Sequence, residues 1–269
     1  SSGITTYPVT VEKSTGGSVR ATPSNTSKGS TVKLTVTADE GYTLSSLTVT
    51  DKNGSQVELT DKGNGTYTFK MPASKVTVKA VFVKEALPFT DVAEDAWYYD
   101  AVAYAYEKGI MTGTNDGTTF SPTQNLTRGM MARILYNLEG SPDLSDENLG
   151  YPFADVPGDA WYADGVYWAR QNGIVDGYGN NTFGPEDPIT REQMAAILYN
   201  YAKFKGEDMT ATTDLTSFAD DEKVSGWAVY AMKWAVAEKL IQGSNNSLNP
   251  LGTATRAEVA QLFMNLLER

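Results

Sequence analysis

The last two-thirds of this chain repeat one plan three times, and that limits its fold more than any other feature. "FTDVAEDAWYYDAV", "FADVPGDAWYADGV" and "FADDEKVSGWAVYAM" begin at Phe89, Phe153 and Phe218, offsets of 64 and 65 residues. Trp97, Trp161 and Trp227 follow, then Gly113, Gly177 and Gly243, then a proline six residues ahead of Arg128, Arg191 and Arg256. Each unit reads as helix, loop, helix. The first helix is expected after a capping Asp95, Asp159 or Ser225, with small residues four and eight positions beyond each Trp that let another helix come close. Gly109 and Gly173 are expected to end it, whereas Lys239 at the third copy predicts a different helix end.

The second helix carries Met131, Leu135 and Leu138, or Met194, Leu198 and Tyr201, or Val259, Phe263 and Leu266. One such helix cannot bury its stripe alone, but three copies can do so together. The expected fold is an all-α pseudo-threefold domain with a central three-helix bundle, ringed by the first helices and loops. Thr127, Thr190 and Thr255 read as N-caps, with Gln193 and Glu258 completing capping boxes. Met130 removes that partner from the first copy, and Gly129 lowers helix propensity beside it. The third copy departs at Asp221 and at the inserted "DEKVSG", so its opening loop should differ.

Residues 4–83 have another period. "GSTVKLTVTAD", "LSSLTVTD", "GTYTFKM" and "KVTVKAVFV" alternate apolar with polar residues, and "STGG", "DKNG" and "DKGNG" punctuate them. This predicts a small all-β domain of strands joined by tight turns. The boundaries expected are a β-rich spacer over 1–85 and a helical domain over 86–269, with repeats at about 88–140, 151–206 and 216–269.

Composition narrows the chemistry. The chain has neither His nor Cys, which excludes disulfide scaffolds, thiol chemistry, Ser-His triads and most zinc sites. "GTNDGTTF" and "DGYGNNTF" lack the ligand spacing of a calcium loop and read as solvated turns; no metal or cofactor is expected. A glycosidase would need its carboxylate pair in three separate sites, so no enzyme activity is expected of these residues. Residues 1–87 carry 10 Lys and Arg against 7 Asp and Glu, and residues 88–269 carry 12 against 26. Nucleic acid and anionic membrane are therefore poor partners for the second part, which is left with small, local anion sites. No apolar run is long enough for a membrane span, and "SSGITTYPVT" carries no signal segment; it reads as the start of a piece of something longer.

One placement is electrostatically odd. Arg128, Arg191 and Arg256 follow the capping threonines, so each cation sits at the positive end of a helix dipole, which usually costs a few tenths to about 1 kcal/mol. A helix start also offers unpaired N–H groups, a natural seat for an anion. An arginine there makes sense where a carboxylate arrives to meet both, and an ordinary salt bridge is the plainer alternative.

The pattern "FTDV…W…TRGM", "FADV…W…TREQ" and "FADD…W…TRAE" resembles the S-layer homology family in its usual number of three units. "DEGYTLSSLTVT" followed by "GTYTFKMPASKVTVKAVF" resembles the divergent internalin-type B-repeat modules, β-grasp-like spacers of bacterial surface proteins; an unrelated β-sandwich fragment fits the alternation too. The first resemblance implies a pseudo-trimer whose inter-unit grooves bind secondary cell-wall polysaccharide ending in a pyruvylated amino sugar, outside the cell at the wall or S-layer. It implies that Arg128, Arg191 and Arg256 meet the acid, with Arg191 expected first among them. It implies that Asp91, Asp155 and Asp220 accept sugar hydroxyls or orient the arginines. Trp97, Trp161 and Trp227 would offer a face to a sugar, and Gly113, Gly177 and Gly243 would let backbone approach the ligand. For the Asp residues turn capping or pairing with the arginine is equally open, and a Trp at a helix start more often belongs to the core. Expected is a monomeric, non-enzymatic wall anchor that does not insert into membrane. The alternatives are an S-layer lattice subunit that self-assembles, and the anchor of an enzyme whose catalytic domain lies upstream.

Overall fold

The computed structural model describes residues 3–145, 150 and 153–269; positions 151 and 152, the first two of the expected second repeat, lie outside them. The chain divides into two compact units, Ser1–Ala86 and Leu87–Arg269.

The first unit is built from β1 (Thr6–Val11), β2 (Gly17–Thr22), β3 (Asn25–Ser27), β4 (Thr31–Ala38), β5 (Tyr42–Asp51), β6 (Thr60–Gly63), β7 (Thr66–Lys70) and β8 (Val76–Lys84). They form two four-stranded sheets, ordered β3-β1-β8-β5 and β2-β4-β7-β6. The first and last strands pair in parallel, Val9 opposite Val76, while the remaining ladders are antiparallel. The period-two pattern sends Val32, Leu34, Val49, Phe69, Val76 and Val78 inward and leaves the intervening Thr and Lys positions to solvent. Among the described residues this unit contains no helix.

The second unit holds α1 (Tyr99–Glu107), α2 (Arg128–Leu138), α3 (Ala163–Gln171), α4 (Arg191–Phe204), α5 (Val229–Ala237) and α6 (Arg256–Leu267). No helix among the described residues is long and apolar enough to cross a membrane. The second helix of each repeat packs on the first helix of the next: α2 on α3, α4 on α5, and α6 back on α1. This closes a ring of contacts. The small-residue stripe is what permits it: a Cβ on Gly165 of α3 would lie 3.0 Å from Arg133 Cα and 3.1 Å from the Ala132 backbone of α2. The apolar seam is buried as its period predicts, with Met131, Leu135, Met194, Leu198, Tyr201, Val259, Phe263 and Leu266 all in one core.

Three local expectations change. The first helices begin at Tyr99, Ala163 and Val229 with no side-chain cap, because the residues after Asp95 and Asp159 form backbone turns (Tyr99 N–H to Ala96 C=O, 3.0 Å; Ala163 N–H to Ala160 C=O, 3.0 Å) and a 3-10 turn follows Ser225. Ser225 instead donates its hydroxyl to the buried Glu192 at 2.7 Å. The third helix end does not differ: Lys239 takes φ +60°, matching Gly109 at +66° and Gly173 at +69°, and Leu240 N–H reaches Ala235 C=O as Ile110 reaches Ala105. Six-to-one closure of the helix end outweighs the left-handed penalty on a lysine. Nor does Met130 abolish the box, since its sulfur accepts from Thr127 N–H at 3.5 Å.

Candidate functional site

The starts of the second helices are where the three repeats interlock. Arg128 and Gly129 donate their backbone N–H groups to Asp187 and Pro185 C=O, at 2.9 and 2.8 Å. Arg191 and Glu192 donate to Gly252 and Pro250, and Arg256 and Ala257 to Gln124 and Pro122. The third N–H of each helix goes to its capping threonine, Thr127, Thr190 or Thr255, at 3.2 Å. The expectation of unpaired helix-start donors is thereby corrected: the neighbouring repeat's proline loop has taken them. What remains for an anion is the dipole field and the arginine side chains.

Those side chains reach across repeats. Arg128, 5% exposed, donates Nε to Phe183 C=O at 2.8 Å and Nη2 to Asp176 C=O at 3.1 Å, and its guanidinium lies between the Phe183 and Tyr178 rings at 4.6 and 4.7 Å. Arg256, 6% exposed, repeats the pattern on Phe120 C=O (2.8 Å), Thr112 C=O (2.7 Å) and the Phe120 ring (4.8 Å). Burial lowers the pKa of both, opposed by nearby Tyr178, Asp187 and Asp155 at Arg128 and by Asp91 at Arg256. Arg191 breaks the pattern. It donates to Thr253 C=O at 2.9 Å and pairs with Glu258 at 3.0 Å, and its side chain keeps 24% exposure. The difference is local: Leu248 stands where Phe120 and Phe183 stand and offers no ring to the guanidinium, while Glu258 supplies a carboxylate.

The aspartates are committed to backbone. Asp91 accepts from Phe120 and Ser121 N–H, Asp155 from Phe183 and Gly184, and Asp220 from Leu248 and Asn249, all at 2.8 Å. Desolvation pushes the Asp220 carboxyl up, but these N–H bonds leave it below the usual range. Each Asp therefore ties the start of its repeat to the loop whose carbonyl or ring meets the arginine. The glycines are fixed by packing: a Cβ on Gly113, Gly177 or Gly243 would sit 2.6, 2.4 or 2.8 Å from the ring of Phe89, Phe153 or Phe218.

The tryptophans go the other way. Trp97, Trp161 and Trp227 are 66%, 52% and 62% exposed, so they are not core residues. Trp97 and Trp161 stand edge-on against Tyr98 and Tyr162 at 5.2 and 5.1 Å. Trp227 lacks that neighbour and shares its groove with the exposed Tyr230.

Arginine, glycine and tryptophan meet in three grooves, each drawing one of them from a different repeat. The first, about 580 Å³, has Arg128, Gly177 and Trp227. The second, about 840 Å³, has Arg191, Gly243 and Trp97, together with Asp220, Lys223 and Glu258. The third, about 710 Å³, has Arg256, Gly113 and Trp161, together with Met130 and Arg133. Lys223, Arg133, Tyr178 and Tyr230 escape a repeat-based reading because they lie at positions where the copies differ. The inserted "DEKVSG" was the one visible signal among them.

The S-layer homology domain pattern matches residues 88–132, 152–195 and 217–260, and the divergent InlB B-repeat domain pattern matches residues 7–86. An amylopullulanase of Thermoanaerobacterium thermosulfurigenes is 33% identical over 78% of this chain and 11% of its own length. The surface-layer 125 kDa protein of Lysinibacillus sphaericus is 31% identical over 77% and 17%, and the S-layer protein sap of Bacillus anthracis 32% identical over 74% and 23%. The chain thus spans under a quarter of each of these relatives. These matches, which together cover most of the chain, show that it belongs to the S-layer homology family, with three such domains preceded in sequence by a divergent InlB B-repeat domain.

Proposed function

We propose that residues 87–269 attach their protein non-covalently to the bacterial cell surface by binding cell-wall polysaccharide, with a pyruvylated amino sugar seated in the grooves between repeats. The observation that carries this is the exposure of all three tryptophans in grooves that also hold an arginine, since a large indole left half in water keeps apolar area open to a ligand. The ring of α2–α3, α4–α5 and α6–α1 contacts supports a pseudo-threefold domain. The parallel pairing of β1 with β8 supports the β-grasp-like reading of the front module, which serves as a spacer. The chain is non-catalytic and monomeric; catalysis in enzyme relatives belongs to the parts this chain does not span.

The test is sedimentation of the full chain with purified cell walls, before and after removal of ketal pyruvate. Binding lost on removal, and reduced about tenfold or more by joint Trp97→Ala, Trp161→Ala and Trp227→Ala, is expected. Equal sedimentation with both wall preparations overturns the acidic ligand. Concentration-dependent sheet formation without walls would favour the lattice reading suggested by the S-layer relatives.

A further inference from the structure

Among the positions where the grooves differ, one touches the arginine itself: the third residue of the second helix that forms the wall. In the repeat pattern this residue is Met130, Gln193 or Glu258, and it completes its own helix cap. In the structure it also touches or flanks the arginine arriving from the preceding repeat. Glu258 holds the Nη2 of Arg191 at 3.0 Å. Gln193 lines the Arg128 groove without charge. Met130 offers Arg256 Nη1 only its thioether sulfur, at 3.7 Å, which is a weak acceptor.

Resting on the proposed function, we propose that this third helix residue selects which groove takes the acidic group: Glu258 shuts the Arg191 groove by occupying its guanidinium from within, and Met130 leaves the Arg256 groove as the principal acid site. Arg256 is more than nine-tenths buried, its Nε and Nη2 are held on the carbonyls of Phe120 and Thr112, and among the described residues no carboxylate pairs with it. It lines the same groove as Trp161. A second cation lines the same groove, Arg133, which donates to Trp161 C=O at 3.2 Å. At that helix position the other repeats have Ala196 and Gln261, so the pair of guanidinium groups is particular to this groove. Asp159 and Asp164 line the groove as well, exposed, as acceptors for sugar hydroxyls. The consequence reverses the order expected from the sequence: Arg256 outranks Arg191, and the copy whose capping box looked defective holds the open site.

The test uses full-length chain and an oligosaccharide released from cell-wall polysaccharide carrying one ketal pyruvate, titrated calorimetrically. Met130→Glu completes a Thr-x-x-Glu capping box, so its melting temperature should hold or rise, while its affinity falls about tenfold or more because a carboxylate now competes for Arg256. Glu258→Gln keeps its cap, as Gln193 does, and should open the Arg191 groove, raising the stoichiometry above that of wild type. Equal affinity and stoichiometry in wild type and both variants would overturn the selector role while leaving the functional reading standing. No binding by any of the three, wild type included, would overturn the functional reading and the selector with it.

Discussion

Replacing Asp155 with alanine asks whether the repeated Phe-x-Asp serves the ligand or the fold. Its two carboxylate oxygens accept from Phe183 and Gly184 N–H at 2.8 Å each, and the side chain is partly buried. A hydrogen bond to a charged group contributes roughly 1.5–3 kcal/mol, and partial exposure argues for the lower end, so losing both costs about 3 kcal/mol. For a unit of this size 1 kcal/mol moves the melting temperature by roughly 2–4 °C, which gives a drop of about 6–12 °C. Calorimetry of the full chain reads it from the transition of the helical unit. Asp155→Asn should lose nearly as much, because its amide turns a donor toward one of the two N–H groups. Phe183 C=O also receives Arg128 Nε, so the arginine should loosen and wall binding should fall together with stability. A melting temperature within about 1 °C of wild type, with binding abolished, would show the carboxylate to be a ligand contact and would refute the clasp.

Other substitutions test the same backbone logic. Gly177→Ala puts a methyl 2.4 Å from the Phe153 ring and 2.5 Å from Thr182 C=O, and should destabilise by about 1–3 kcal/mol on denaturant titration. Gly173→Ala, at φ +69° with open space around it, should cost only about 1 kcal/mol; equal losses would show that strain, not crowding, governs both. Lys239→Gly relieves a left-handed lysine at φ +60° and should raise the melting temperature by a few degrees, worth about 1 kcal/mol; no gain would mean the lysine side chain repays its strain.

The reach of the sequence varied by feature, for physical reasons. Periodicity read the β module and the two helices of each repeat, because burial on one face is a local pattern. Thr127, Thr190 and Thr255 were legible as caps since a cap contacts its own third residue. The first helix starts were misread because Asp95 and Asp159 look like caps while the chain spends its next residues in turns. Lys239 was misread because propensity disfavours lysine where the helix end requires a left-handed residue. The arginine, glycine and tryptophan candidates were visible as repeated residues. That the aspartates clasp a loop some 28 residues away was not visible.

By itself the sequence determined that three copies must share one core, that each second helix begins with Thr-Arg, and that no His or Cys chemistry is present. The tertiary structure alone decided that every groove is made by three repeats at once, that neighbouring proline loops consume the helix-start donors, and that Arg191 turns to Glu258 while Arg128 and Arg256 lie on phenylalanine rings. Spacing along a chain fixes contacts within a helix turn, whereas contacts between repeats depend on how the ring closes, and Arg191 meets Leu248 and Glu258 where Arg256 meets Phe120 and Met130.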